Sequence, residues 1–184
     1  MKLLIASDIH GSACYCRELL SAWDREQPDR VLLLGDLLYH GARNDLPDGY
    51  APKEVAALLN DRKDGLLCVR GNCDSEVDQM VLLFPVMADY ALLSWEGLTL
   101  YATHGHTWNR DRLPPLRQGD ILLVGHTHIP AWDEVKGFRI LNPGSVSIPK
   151  NGTERSYMIM EGGLFRWKTL SGDVFHELDA NMRP

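Results

Sequence analysis

Leu3-Leu4-Ile5-Ala6-Ser7-Asp8-Ile9-His10-Gly11 decides how this chain is read. The run from Leu3 to Ala6 is long enough for a buried strand and too short for a helix. Asp8 and His10 stand two apart, so extended backbone would turn both side chains to one side. Gly11 permits a sharp turn behind them. A carboxylate beside an imidazole at the mouth of a buried strand suits a divalent metal, offering one hard oxygen and one borderline nitrogen. A single Asp-x-His more often caps a helix or bonds to backbone. The pairing gains weight because similar stretches recur: Gly35-Asp36, Gly71-Asn72, His104-Gly105-His106 and Gly125-His126-Thr127-His128 each follow a short apolar run.

Those runs and their connections outline the fold. Cys16, Leu19, Leu20 and Trp23 are spaced as the apolar stripe of a helix ended by Gln27-Pro28-Asp29. Val31 to Leu34 then reads as a second strand, so strand, helix and strand predict a right-handed parallel crossover. Leu37 to Tyr50 is a loop rich in Gly, Asn, Asp and Pro, of a length that is usually functional or mobile. Pro52 opens a helix with the stripe Val55, Leu58 and Leu59. After a third strand at Leu66 to Val69, Ser75 with Asp78 resembles a capping box. Val77, Met80, Val81 and Phe84 would be the buried stripe of the helix that follows. Met87 to Thr103 reads as a hairpin turning at Glu96-Gly97. Beyond the strand Ile121 to Val124 the chain reads as strands at Phe138 to Leu141, Ser145 to Ile148, Tyr157 to Met160 and Leu164 to Leu170. His176, in the last strand region, reads as a surface histidine.

A length of 184 residues fits one domain spanning 1–184, with 45% hydrophobic and 24% charged residues as in ordinary globular proteins. The net charge of −6 argues against nucleic acid as a partner, since sequence-independent binding needs a basic footprint. No signal peptide or membrane span is read from the sequence. Cys14, Cys16, Cys68 and Cys73 include no C-x-x-C pair, which makes a reducing cytoplasm the expected location.

Each chemistry-bearing stretch lies just after the C-terminal end of an apolar run, the edge where ligand sites assemble in open α/β sheets. Convergence of the five loops would gather two Asp, one Asn and up to five His. So many oxygen and nitrogen donors exceed one tetrahedral ion and suit two ions sharing a carboxylate. Two-metal sites, with ions roughly 3.5–4 Å apart, clamp the attacking and leaving oxygens of a phosphoryl displacement.

The ordered series D-x-H, GD, GN, H and GHxH resembles the calcineurin-like metallophosphoesterase superfamily, and within it a group of small bacterial phosphodiesterases. The likeness is strongest at Ser7 to Gly11, Gly35 to Pro52, Arg70 to Met80, His104 to His106, Gly125 to Pro130 and Asn142 to Lys150, and fades after about Met160. It implies the metallo-dependent phosphatase fold: α/β, an αββα β-sandwich with helices outside both sheets. It also implies that Asp8, His10, Asp36 and His128 hold one ion and that Asp36, Asn72, His104 and His126 hold a second. Two divalent ions, with Mn2+ favoured, would serve a bridging hydroxide that attacks a small phosphodiester. Asp36, Asn72 and Asp74 are the implied catalytic residues, and His40, Cys73 and His106 the implied substrate contacts. His40 stands where better-known relatives carry a phosphate-binding Arg, and Cys73 where they carry a His that the next acid orients. His106 lines the pocket or supports His104. A non-catalytic protein-binding scaffold and a nuclease are the rival readings. Every ligand position is filled, which speaks against the first, and the net charge speaks against the second. The Leu37 to Tyr50 loop leaves contact with a second copy of the chain open.

Overall fold

The computed structural model describes residues 1–182. Strands β1 (Lys2–Ala6), β2 (Arg30–Leu33) and β3 (Leu66–Cys68) run parallel, joined through helices α1 (Ala13–Glu26) and α2 (Pro52–Asn60). Helix α3 (Glu76–Val81) leads to the antiparallel hairpin β4 (Tyr90–Trp95) and β5 (Leu98–Thr103). Then follow β6 (Ile121–Leu123), β7 (Pro130–Val135), β8 (Phe138–Pro143), β9 (Ser156–Glu161), β10 (Leu164–Thr169) and β11 (Val174–Asp179). They form a six-stranded mixed sheet, β11-β10-β9-β1-β2-β3, and a five-stranded mixed sheet, β4-β5-β6-β8-β7.

The apolar runs are strands because both of their faces are buried. In β1, Leu3 and Ile5 enter the core between the sheets with Leu100, Ile121, Phe165 and Trp167. Leu4 and Ala6 face the other way, against Cys16 and Leu19 of α1 and Val55 and Leu59 of α2. Ser12 caps α1 by accepting the Tyr15 N–H at 3.3 Å, and Gln27 ends it in the left-handed region.

Four expectations are corrected. The outer face of the second sheet, where Tyr101, Leu122, Val124 and Ile140 cluster, is covered by Leu113 and Leu116 of an irregular segment and not by a helix. Pro114 and Pro115 deny that segment helical backbone. Only Phe84 of the expected α3 stripe is buried: Val77, Met80 and Val81 are exposed. Burial passes instead to Leu82, Phe84 and Val86. The Gln79 side chain holds that stretch, donating to the carbonyls of Leu82 and Phe84 and accepting the Val86 N–H. Ser145 to Ile148 is no strand, because its polar groups are spent on the β1 loop: the Val146 N–H donates to Ser7 O, and the Ser145 and Ser147 hydroxyls to Asp8 O. His176 is half-buried, its ring stacked 3.6 Å from Trp132 and edge-on to Trp167, which ties the edge strands β7 and β11 together.

Candidate metal centre

The C-terminal ends of β1, β2 and β3 and those of β5 and β6 deliver the five loops to one crevice. The first two loops zip together beyond their strands: the N–H groups of Asp8, His10 and Gly11 donate to the carbonyls of Gly35, Asp36 and Leu37 at 3.1, 2.9 and 2.9 Å. Asp8 and His10 are not extended as the sequence suggests. Asp8, His10, Asp36, His126 and His128 have φ of 60, 48, 56, 66 and 62°, a left-handed conformation that costs a non-glycine residue about 1 kcal/mol or more. This local strain, held by the surrounding hydrogen bonds, aims their side chains inward. Gly71 is required by contact alone, since a Cβ there would lie 2.0 Å from Asp36 Oδ1 and 2.4 Å from Asp36 N.

Three imidazoles are fixed by backbone carbonyls. Nδ1–H of His10 donates to Tyr39 O at 2.8 Å, that of His104 to Leu34 O at 2.7 Å, and that of His128 to Ile148 O at 2.6 Å. Their Nε2 atoms therefore carry lone pairs into the crevice when neutral. His10 Nε2 and His128 Nε2 face each other at 3.2 Å, and both approach Asp8 Oδ1, at 3.5 and 3.3 Å. On the other side His104 Nε2 lies 3.2 Å from Asn72 Oδ1 and 3.2 Å from His126 Nδ1. Asp36 stands between the two groups: its Oδ1 accepts the Cys73 N–H at 2.8 Å, while Oδ2 lies 3.6 Å from His10 Nε2 and 3.4 Å from His104 Nε2. Asp8 Oδ1 is buried without a hydrogen-bond partner among the described residues. Opposed lone pairs beside an orphaned carboxylate oxygen are unfavourable without a cation. Donors about 2.1 Å from one ion and separated by tetrahedral angles would sit about 3.4 Å apart, as these do. The donor set fits a divalent metal.

The charges follow from the same contacts. Burial would raise the Asp8 carboxyl, but the neighbouring His10 and His128 imidazoles hold it well below the ordinary carboxylate range. Burial opposes charge on His104, yet Asp36 and Asp8 raise its pKa to about 9. Burial and the His104 charge lower His126 to about 4. An ion entering at neutral pH must therefore displace a proton from His104. Affinity for a divalent ion should rise with pH through the neutral range, with release of about one proton or more at pH 7, since Asp8 raises the His10 pKa against burial as well. Calorimetry of metal-free protein in buffers of different ionisation enthalpy reads this directly, and heats independent of the buffer would contradict a protonated His104.

Asp8, His10, Asp36, Asn72, His104, His126 and His128 are thus brought together. Asp74 is not placed to act on substrate or to orient residue 73. Its Oδ2 accepts the N–H groups of Asp36 and Gly71, both at 2.7 Å, and its Oδ1 that of Leu37 at 2.9 Å. His40 does not line the crevice but packs edge-on against Tyr39 and Tyr50, and the loop beyond Gly41 presents Arg43 and Asn44 to it instead. His106 is exposed, with its ring centroid 5.4 Å from that of His104, and the Leu34 carbonyl rather than His106 orients His104. Cys73 does line the cavity, which measures about 710 Å³. Sequence reasoning missed Arg70 and Lys150, which also line it. Their places beside Gly71-Asn72 and after Asn142-Pro143-Gly144-Ser145 were the available signal. No helix of the described residues is long and apolar enough to cross a membrane.

Comparison with known proteins agrees with this geometry. Phosphodiesterase YfcE of Escherichia coli strain K12 is 46% identical over 161 residues, 88% of each chain. The solved structure of YfcE, described as a phosphoesterase from E. coli, matches with a TM-score of 0.95 at 41% identity, over 98% of this chain and 100% of that one. Zinc-complexed Vps29 from Entamoeba histolytica shares the fold alone, with a TM-score of 0.66 at 22% identity over 98% of this chain and 100% of that one. The profile of the calcineurin-like phosphoesterase superfamily domain matches residues 1–162. By fold, by the donor set at its strand ends and by that match, the chain belongs to the calcineurin-like phosphoesterase superfamily.

Proposed function

We propose that the chain is a single-domain phosphodiesterase that hydrolyses small phosphodiesters with two divalent ions, Mn2+ foremost. Asp8, His10, Asp36 and His128 hold one ion, and Asp36, Asn72, His104 and His126 the other. The observation that carries this reading is Asp36, whose Oδ1 is taken by a backbone N–H while Oδ2 faces both donor groups. Oxygen and imidazole donors without a required thiolate admit Mn2+ along with Fe, Co, Ni and Zn, and the family likeness favours Mn2+ among them. When bound, such ions lower the pKa of water and neutralise charge on phosphoryl oxygens. The likeness to a curated phosphodiesterase supports a diester over a monoester. The four free thiols support a reducing compartment such as the cytoplasm. Turnover of bis(4-nitrophenyl) phosphate by Mn2+-loaded protein, its loss on chelation, and slower turnover of 4-nitrophenyl phosphate test the reading. A protein inert to both esters with every metal would refute it.

The residues around the departing oxygen offer no strong acid. Burial, then the Asp36 carboxylate, pushes the Cys73 thiol up to about 12. Asp74 is fully engaged by amides, His126 would be held neutral by the ion it ligates, and burial lowers the pKa of His106. The leaving group therefore departs as its anion. Rates should fall steeply from nitrophenyl to alkyl diesters. Cys73→His should raise the rate on alkyl esters by about tenfold, short of the roughly 10²–10⁴ of a well-oriented acid, because Asp74 is not free to orient it. Cys73→Ala should change little. Loss of metal or of most activity in Cys73→Ala would instead make the thiol a ligand, which its place beside His10 and Asp36 permits.

A further inference from the structure

Three cationic side chains line the site cavity, each delivered by a different connection. Arg43 comes from the loop after β2, Arg70 from the turn after β3, and Lys150 from the bend between β8 and β9. Among the described residues none of the three enters an ion pair, a state they share with other surface cations such as Lys53 and Arg117, so what sets them apart is that all three reach one cavity. The Arg70 Nε–H donates only to a carbonyl, that of Asp74, at 3.2 Å. The two carboxylates that reach this cavity, Asp36 and Asp74, are both buried and bonded to backbone N–H groups. The crevice is thus lined by three cations without an ion-pair partner, and the two carboxylates that reach it are already held by backbone N–H groups.

A diester phosphate carries one negative charge, and that charge belongs at the donor set. It leaves the cations of the rim unmatched. A cavity of about 710 Å³ also has room for far more than one phosphate group. Two guanidinium forks and an ammonium brought to one cavity by three connections suit a phosphoryl dianion. Resting on the phosphodiesterase reading above, we infer that the substrate is a phosphodiester one arm of which carries a further phosphoryl group, bound by Arg43, Arg70 and Lys150.

Two chromogenic diesters with the same leaving group isolate this arm: thymidine 5′-(4-nitrophenyl phosphate) and the same ester bearing a 3′-phosphate. The 3′-phosphate should lower KM about tenfold with little change in kcat, the sum of several partly exposed ion pairs. Raising KCl to about 0.5 M should shrink the difference. In an Arg43→Ala, Lys150→Ala double variant the ratio of the two KM values should approach one, whatever happens to the absolute rates. Calorimetric titration of the wild type with thymidine 3′,5′-bisphosphate and with thymidine 5′-monophosphate gives the same comparison without turnover. Equal KM values with equal affinities overturn the inference. Failure to cleave either ester, with the bisphosphate still held more tightly in a way that depends on Arg43 and Lys150, overturns the phosphodiesterase reading and leaves the phosphoryl-binding rim standing. Tighter binding of the bisphosphate that the double variant retains removes these residues from the rim.

Discussion

Asp36→Asn protein should fold normally and turn over phosphodiesters about 10²–10³-fold more slowly or worse, the scale on which loss of one transition-state-stabilising group acts. The Cys73 N–H fixes which way the new amide points. It needs an acceptor at the Oδ1 position, so the amide oxygen stays there and the NH₂ takes the place of Oδ2. The one atom facing both His10 Nε2 and His104 Nε2 then has two hydrogens and no lone pair. It donates to those imidazoles, which ties up a nitrogen donor in each group as well as removing the shared oxygen. Replacing His10 or His128 takes a donor from one group only, so each of those variants should keep more activity than Asp36→Asn. The asymmetry is the test. Metal content should fall for both ions in Asp36→Asn, and the metal-free protein should melt somewhat lower, because the buried His104 loses the carboxylate that raises its pKa. Near-wild-type turnover with two ions bound would show that Asp36 does not serve both.

How much of this site was legible in advance depended on whether a residue's role is set by its neighbours in sequence or by distant backbone. The apolar runs Leu3 to Ala6, Val31 to Leu34 and Ile121 to Val124 could be read as strands because burial on both faces leaves no polar position to confuse the period. Placing Asp8, Asp36, Asn72, His104 and His128 at their ends then followed from topology. The left-handed backbone at Asp8, His10, Asp36, His126 and His128 was not legible, since their side chains do not announce it and the adjacent glycines take the blame for every turn. Helix α3 misled for a different reason. Val77, Met80 and Val81 keep helical spacing, but the helix ends after six residues and a Gln79 side chain redirects burial to Leu82, Phe84 and Val86. Periodicity reports what a helix would bury if something were there to cover it. His40 was placed by counting from Asp36, and a loop that turns at Gly41 defeats counting.

Asp74 is the sharpest case, because sequence proximity to residue 73 suggests a catalytic partner, whereas two long-range hydrogen bonds and one local one give it another task. Its carboxylate gathers the N–H groups of Asp36, Leu37 and Gly71, so it fixes the turn that carries the bridging candidate Asp36 and the glycine pressed against it. Burial outweighs these amides and raises its pKa. Ionisation of Asp74 therefore does not itself stabilise the fold, and the consequence of replacing it lies in the donors left behind. Asp74→Leu keeps a similar shape and accepts nothing. Three buried N–H groups without partners should cost about 3 kcal/mol or more, at about 1–3 kcal/mol for each orphaned group. In a chain of this size that lowers the melting temperature by about 10 °C. Asp74→Asn is the milder companion, leaving one N–H opposite an NH₂, for about 1 kcal/mol by the same reckoning. Folded Asp74→Asn should bind divalent metal about tenfold more weakly, the usual scale when a group that positions a ligand is lost. A residue acting on the leaving group would give the opposite pattern, with kcat reduced while melting temperature and metal affinity stay as in the wild type. That result would return Asp74 to the catalytic set.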